Sequence, residues 1–288
     1  MSTAKNPIIL VTGATGHQGG ATARELLSKG HRVRAMTRKP EGEKARALAA
    51  RGAEIVQGDF DDPASVERAL AGAWGAFAVQ NTWEAGVERE EEQGKRFAEL
   101  AKKAGVRHLV YSSVGSAHRR TGIPHFENKW RVEETVRRAG FPSYTILRPV
   151  FFMENFASPW FLPALKEGKL AVGVRPDTVL QMIAVQDIGK YALRAFERSE
   201  EMNRAEVDIA GDQHTMPETA AILGKAMGRD LQFVRTPIEE ARKWSADYAA
   251  MLEWFDRVGY DADIRANEKR FGIQPTSLRE WAGGAAWN

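Results

Sequence analysis

The chain has no cysteine among its 288 residues. Disulfide bonds, thiol nucleophiles and cysteine-ligated metals are therefore excluded. Six histidines are present, but no two of them are spaced as HxH, HxxxH or HExxH. These spacings are the ones that bring imidazoles together on a metal ion, so we expect no metal site.

Long apolar runs are also missing. The N-terminal run IILV (8–11) is far too short for a signal-peptide core or a membrane span. No later stretch approaches the roughly 20 apolar residues that cross a bilayer. We therefore expect a cytoplasmic location and no membrane partner.

The charge has no dominant sign. Lysine and arginine total 41 against 38 acidic residues, and the net charge of +3 is spread along the chain. Direct nucleic-acid binding normally needs a basic tail or stripe, so we expect none. The length predicts one large domain, or one domain with an appended lobe.

Short apolar runs alternate with helix-like segments through the first half of the chain. Helices are predicted over 18–29, 63–71 and 88–104, and strands over 7–11, 31–37, 53–59, 76–81, 108–113 and 143–149. This βαβ rhythm predicts an α/β fold, a Rossmann-type doubly wound parallel sheet.

The second half is less regular. It predicts helices near 187–199, 215–227 and 237–256 and a possible strand at 206–211. We assign residues 1–150 to a Rossmann domain. Residues 151–288 form a smaller C-terminal α/β lobe for a substrate or partner, with some chain crossing back to the main sheet. The oligomeric state is left open between a monomer and a homodimer.

The motif VTGATGHQGG (11–20) follows the first strand and opens the first helix, with Gly13, Gly16 and Gly19 three residues apart. Such glycines permit a tight turn and a close approach to a pyrophosphate, which binds at the helix N-terminus. The alternative is a structural glycine-rich turn. An ATPase is disfavoured because the loop lacks the GK[ST] ending.

The second strand ends in TRKP (37–40), where an acidic residue would bind the ribose 2′-hydroxyl of NAD. Arg38 and Lys39 suit a 2′-phosphate instead, so NADP(H) is the predicted cofactor. A solvated basic turn is the alternative. Asp59 and Phe60 end the third strand where adenine is usually contacted, although Asp59 could equally cap a helix.

Several motifs together resemble one family. They are VTGATGHQGG, TRKP, GAEIVQGDFDD, VQNTWE, HLVYSSVGSA, HFENKWRVEE, ILRPVFFMENF and VQDIG. In order and spacing they resemble the NmrA-like branch of the atypical short-chain dehydrogenases/reductases, from about residue 7 to 285. The resemblance implies a cofactor site. Phosphates would be lined by Gly13, Thr15, Gly16, His17, Gln18 and Gly19, and the nicotinamide end by Gln80, Asn81, Trp83, Ser112, Lys129, Phe151, Phe152 and Asn155.

Typical reductases of this fold carry a tyrosine, a lysine four residues later and a serine after the fifth strand. Here Lys129 is present and Ser112 and Ser113 follow that strand, but the tyrosine position holds His125. Lys129, His125 and Ser113 are the candidate catalytic residues. Imidazole can deliver a proton near neutrality. The alternatives are a helix cap or a cleft-lining role for His125, and a solvated helix lysine for Lys129.

Two functions are therefore kept open. The missing tyrosine favours an NADP(H) redox sensor that regulates a protein partner. The retained nicotinamide-side residues allow an NADPH-dependent reductase of a quinone-like, aromatic or enone substrate. The tryptophan-rich segments 243–260 and 278–288 are predicted to pack under the second lobe, with a cleft or partner surface as the alternative.

Overall fold

Twelve strands and thirteen α-helices make up residues 6–287, the part of the chain that the computed structural model describes. The strands are β1 Ile8–Val11, β2 Arg32–Thr37, β3 Glu54–Gln57, β4 Gly75–Ala78, β5 His108–Ser112, β6 Ser143–Pro149, β7 Phe151–Phe152, β8 Lys169–Val172, β9 Val179–Ile183, β10 Ala205–Ile209, β11 Asp212–Thr215 and β12 Gln232–Arg235. The helices are α1 His17–Ser28, α2 Glu43–Ala49, α3 Pro63–Leu70, α4 Thr82–Ala85, α5 Val87–Lys103, α6 Pro124–Arg138, α7 Leu162–Lys166, α8 Val185–Glu197, α9 Met216–Met227, α10 Ile238–Trp244, α11 Ala246–Arg257, α12 Ile264–Phe271 and α13 Leu278–Gly284.

Seven parallel strands form the main sheet in the order β10-β6-β5-β4-β1-β2-β3. The strands β4 and β5 are buried along their whole length, which explains their nearly continuous apolar sequence. The strand order reverses at β1, which pairs with β2 on one side and β4 on the other. Ligands of open α/β sheets bind outside the carboxyl ends of the strands at such a reversal.

Helices cover both faces of this sheet. Buried side chains of α1 and α8, such as Leu26 and Ile188, form one hydrophobic cluster. Side chains of α3, α5 and α6, such as Phe97 and Val132, form the cluster on the opposite face. The sequence prediction of a doubly wound parallel sheet is confirmed.

The later elements surround a third hydrophobic cluster, which includes Phe156, Leu223 and Trp254. The strands β7, β9 and β11 form a three-stranded sheet, and β8 pairs with β12. The predicted strand at 206–211 is β10, which returns to the main sheet beside β6. The boundary at residue 150 stays a prediction.

The predicted elements lie within a few residues of their observed positions, with one correction. The sequence patterns do not predict α2, α4, α7, α12, α13 or the strands β7–β9, β11 and β12. The single helix predicted over 237–256 is wrong, because Ser245 lies between α10 and α11 in extended backbone, with φ −158° and ψ 121°. Its hydroxyl accepts from the Tyr248 N–H and so caps α11. No helix within residues 6–287 is long and apolar enough to cross a membrane.

Candidate functional site

The glycine loop between β1 and α1 has the geometry that its sequence predicts. Gly13 has φ +57°, a value that side-chain-bearing residues rarely adopt. A Cβ atom at Gly19 would lie 2.3 Å from the Gly13 carbonyl oxygen and 2.4 Å from that of Thr12. Gly16 occupies the N-cap of α1 and supplies no side-chain cap. The first N–H groups of α1 are therefore left for an anion.

Hydrogen bonds fix this loop to the carboxyl ends of β2, β4 and β5. The Val79 N–H, just beyond β4, donates to the Thr12 hydroxyl at 3.0 Å. Ser112, at the end of β5, donates its hydroxyl to Oε1 of Gln18 at 2.5 Å. Thr15 lies 3.3 Å from the Thr37 hydroxyl at the end of β2. The structure thus brings the predicted residues Thr15, Gln18 and Ser112 together.

A cavity of about 560 Å³ opens beside the loop and has a cationic wall. Arg24 of α1, Lys44 of α2 and Arg51, just beyond the end of α2, line it together with His17. Burial, followed by repulsion from Lys44 and Arg24, lowers the pKa of His17. The three cations are absent from the predicted set. Such a wall can hold phosphate groups.

The two predicted cations of TRKP lie at the end of β2. The Arg38 guanidinium donates to the carboxylate of Glu84, on α4, at 2.7 Å. Both side chains are more than half exposed, so this pair contributes little stability and a phosphate can compete for Arg38. The Lys39 backbone N–H donates to the Thr37 hydroxyl at 3.2 Å.

Asp59 and Phe60 have local structural contacts. The Asp59 carboxylate accepts from the Asp61 N–H at 3.0 Å, while Asp62 is the N-cap of α3. Asp59 as the helix cap is therefore wrong. The Phe60 ring meets Phe97 edge-on, with ring centroids 5.7 Å apart. Their predicted contact with adenine stays a prediction.

Lys129 is not a solvated helix lysine. Its ammonium donates to the Glu90 carboxylate at 2.6 Å, and Thr82 and Asn128 also donate to that carboxylate. The Glu90 side chain is 2% exposed. Burial raises its pKa, but the charge and hydrogen bond of Lys129 and the bonds from Thr82 and Asn128 outweigh burial and hold the pKa below its ordinary value. The Glu90 carboxylate on α5 thus joins α4 through Thr82 and α6 through Asn128 and Lys129.

The loop that follows β4 carries Gln80 and Asn81. Gln80 is buried, and neither its amide nitrogen nor its amide oxygen has a hydrogen-bond partner among residues 6–287. Asn81 is the N-cap of α4 and accepts from the Trp83 N–H at 3.1 Å. Buried amides are normally paired, so Gln80 has unused capacity for a ligand or water.

His125 lies in the first turn of α6, whose N-cap is Ile123. The cap alternative for His125 is therefore wrong. Its Nδ1 lies 2.5 Å from Oδ1 of Asp247, a residue of α11. The imidazole also packs against Trp83, with ring centroids 5.4 Å apart.

Three exposed tryptophans stand beside His125. Trp83, Trp160 and Trp244 are 58%, 72% and 53% exposed. Trp244 stacks on Trp83 at 6.1 Å and contacts Trp160 at 5.1 Å between ring centroids. Trp244 is thus exposed, whereas Trp254 of the same sequence segment packs in the core as predicted. We call Trp83, Trp160 and Trp244 the tryptophan wall.

The remaining predicted residues lie in packed surroundings. The Ser113 hydroxyl donates to buried Glu133 at 2.6 Å, and Glu133 pairs with Arg148. This contact directs Ser113 into a buried ion network. Phe151 packs in the third cluster and Phe152 against the first. Asn155 lies in the 3₁₀ helix Met153–Ala157.

Comparison with known proteins identifies relatives along the chain. The model of the NmrA-like family matches residues 5–283. A (4-alkanoyl-5-oxo-2,5-dihydrofuran-3-yl)methyl phosphate reductase of Streptomyces griseus subsp. griseus is 31% identical over 236 residues, covering 82% of this chain and 79% of that protein. The NmrA-like family domain-containing oxidoreductase FrzB of Cladobotryum sp is 37% identical over 167 residues, 54% of this chain and 50% of FrzB. The chain spans about half the length of FrzB and of two similarly named oxidoreductases.

Solved structures share the fold. NmrA, a negative transcriptional regulator in complex with NADP, has a TM-score of 0.79 at 22% identity, covering 98% of this chain and 99% of NmrA. The NADPH-dependent quinone oxidoreductase QOR2 from Escherichia coli has a TM-score of 0.78 at 25% identity, covering 96% and 98%. A shared fold leaves function to be argued from the site. With a family model that runs through the glycine loop, the main sheet and the later elements, this chain belongs to the NmrA-like family.

Proposed function

We propose that this chain is an NADPH-dependent reductase of small, flat, unsaturated substrates. The observation that carries the proposal is the tryptophan wall, whose Trp83 packs against His125. Exposed aromatic side chains in contact with one another are unusual on a protein surface and suit a planar ligand. A relative that covers four-fifths of this chain is named a reductase, which supports the same function.

The residues present fit a dinucleotide phosphate. A side chain at Gly19 would collide with the backbone, so the cradle at the start of α1 depends on glycine. His17, Gln18 and the N–H groups of α1 would hold the diphosphate. Arg38 and Lys39, with Lys44 across the loop, would hold the 2′-phosphate. When bound, NADPH supplies the hydride, and the protein supplies position and electrostatics.

At the nicotinamide end, Lys129 has the right kind of group for a ribose. Its ammonium has three donors, and the bond to Glu90 uses one of them. The unpaired amide of Gln80 lies on the same side of the sheet, at the end of β4. The Ser112 hydroxyl already bonds to Gln18, so we assign it to holding the loop.

Oxidation of NADPH, followed at 340 nm against a panel of enones, quinones and aromatic dyes, tests the proposal. Turnover with at least one acceptor supports it, and Trp83→Ala and Trp244→Ala should raise KM more than they lower kcat. Val258→Ala removes an exposed apolar side chain outside the wall and serves as the matched control. No turnover with any acceptor contradicts the reductase.

An NADP(H) sensor is the second candidate, favoured by one contact. Arg38, predicted at the 2′-phosphate, pairs with Glu84, the neighbour of Trp83 on α4. A phosphate that takes Arg38 from Glu84 would release α4, and the wall would change with cofactor occupancy. NADPH should then change Trp83 fluorescence, whereas NADH, which has no 2′-phosphate, should not, with Trp83→Phe identifying the signal. Identical responses to NADPH and NADH contradict this sensing mechanism.

A further inference from the structure

We propose that Asp247 positions His125 as the proton donor of this site, so that its natural acceptors are neutral carbonyl compounds conjugated to a carbon that takes hydride. This inference rests on the reductase function proposed above. It adds a residue from the C-terminal part of the chain that no sequence motif indicates.

The contact has the geometry of a carboxylate that orients an imidazole. Nδ1 of His125 lies 2.5 Å from Oδ1 of Asp247, and their side chains are 9% and 16% exposed. A carboxylate acts only as an acceptor when ionised, so Nδ1 carries a proton. Nε2 then faces away from Asp247, and no residue among 6–287 hydrogen-bonds to it. Buried carboxylates hold catalytic imidazoles and stabilise their cationic form in the same way.

Aromatic rings fix the imidazole on its other sides. Phe126 meets it edge-on at 4.8 Å and Trp83 lies at 5.4 Å, measured between ring centroids. Because Trp83 also stacks on Trp244, the imidazole lies at the base of the tryptophan wall. A flat substrate against the wall is therefore within reach of His125.

Other charges near the imidazole are already paired. Lys129, one turn later on α6, pairs with Glu90, and Glu84 on α4 pairs with Arg38. The cations of α10 pair with acidic neighbours, as Arg242–Glu253 and Lys243–Glu240. Asp247 is thus the carboxylate in direct contact with His125.

Bound NADPH would supply the hydride to the conjugated carbon of the substrate and leave as NADP⁺. The C=C π electrons would then shift to the carbonyl carbon while the carbonyl π electrons move to oxygen. That oxygen would take the proton from Nε2 of His125, and the resulting enol tautomerises to the saturated carbonyl compound. The neutral imidazole regains a proton from water. A cationic acceptor differs because hydride alone makes it neutral, and it needs no proton from the protein.

Because only the neutral acceptor needs a proton, the two kinds of acceptor should respond differently to loss of His125 or Asp247. Rates with a neutral conjugated enone and with a cationic triarylmethane dye are compared in the intact protein carrying His125→Gln or Asp247→Asn. The enone-to-dye ratio of kcat should fall about 100-fold in His125→Gln, the usual contribution of general acid catalysis, and at least about tenfold in Asp247→Asn. Asp177→Asn, which changes an exposed aspartate paired only with Arg175, should keep the wild-type ratio.

A conservative variant separates positioning from a structural role. Asp247→Glu, which keeps a carboxylate for Nδ1 of His125, should restore part of the enone-to-dye ratio, whereas a structural defect lowers both rates alike. Equal losses with enone and dye in Asp247→Asn and His125→Gln overturn the role of the pair and leave the reductase standing. A wild-type protein that reduces neither acceptor overturns both.

Discussion

Replacing Lys129 by alanine should destabilise the fold as well as disturb the site. The change leaves the Glu90 carboxylate buried without its cation, although Thr82 and Asn128 still donate to it. Removing one partner of a buried ion pair typically costs about 3–5 kcal/mol. Because two hydrogen bonds remain, we expect about 3 kcal/mol, measured by urea unfolding followed by circular dichroism.

The loss of stability in Lys129→Ala should depend on pH. In the wild type the folded pKa of Glu90 lies below its unfolded value, so the stability that the pair contributes is present near neutrality and lost in acid. In Lys129→Ala, burial without a cation raises the pKa of Glu90. The deficit against wild type should therefore be largest near pH 7 and shrink as the pH falls and Glu90 takes up a proton.

A matched pair provides the control. Lys103 contacts Glu67 at 2.8 Å, but its side chain is 74% exposed. Lys103→Ala should leave the free energy of unfolding close to that of the wild type, because surface pairs contribute little. Equal effects of Lys129→Ala and Lys103→Ala would refute the buried-pair reasoning. The double variant Glu90→Gln/Lys129→Met should recover most of the stability and show whether Lys129 also binds the cofactor.

Three further predictions concern the buried core and the phosphate end. Burial lowers the pKa of His108 to about 4, below its ordinary 6.5, so the unfolded chain protonates first in acid. Protonation of His108 in the unfolded chain should lower the free energy of unfolding of the wild type by about 3 kcal/mol between pH 6.5 and 4. In His108→Gln, urea titrations should show a weaker dependence of this free energy on pH. Gly19→Ala should weaken NADPH binding more than about 100-fold by fluorescence titration, since the new Cβ displaces the cradle. Lys44→Ala should raise the dissociation constant of NADPH about tenfold and that of NADH far less, and equal changes would remove Lys44 from the 2′-phosphate.

The main sheet could be predicted because its signals are local. Each strand from β1 to β6 is a short apolar run, and residues such as Gly13 and Gly19 mark the turn that the backbone requires. The break at Ser245 also has a local cause, but a serine inside a helical pattern is equally consistent with an exposed position in one continuous helix. The hydrogen bond from the Tyr248 N–H to the Ser245 hydroxyl, which is seen only in the structure, shows that a new helix begins there.

The partners of the site residues could not be predicted, because they come from distant segments. Asp247 lies 122 residues after His125, and Glu90 lies 39 residues before Lys129. The Ser113 hydroxyl donates to buried Glu133 and is not available to a substrate. The sequence Ser112-Ser113 does not indicate which of the two side chains is directed into the interior. Motif spacing thus predicts which residues approach the site, while tertiary packing decides what each side chain contacts.

Transfer of deuterium tests the central claim most directly. The protein is mixed with NADPH deuterated at C4 of the nicotinamide and with an acceptor that it reduces. The masses of the products are then measured by mass spectrometry. An NADPH-dependent reductase predicts NADP⁺ and a reduced product that carries the deuterium at carbon. Reduced product without deuterium from either face of C4, or NADPH that stays unoxidised with every acceptor, would contradict the account.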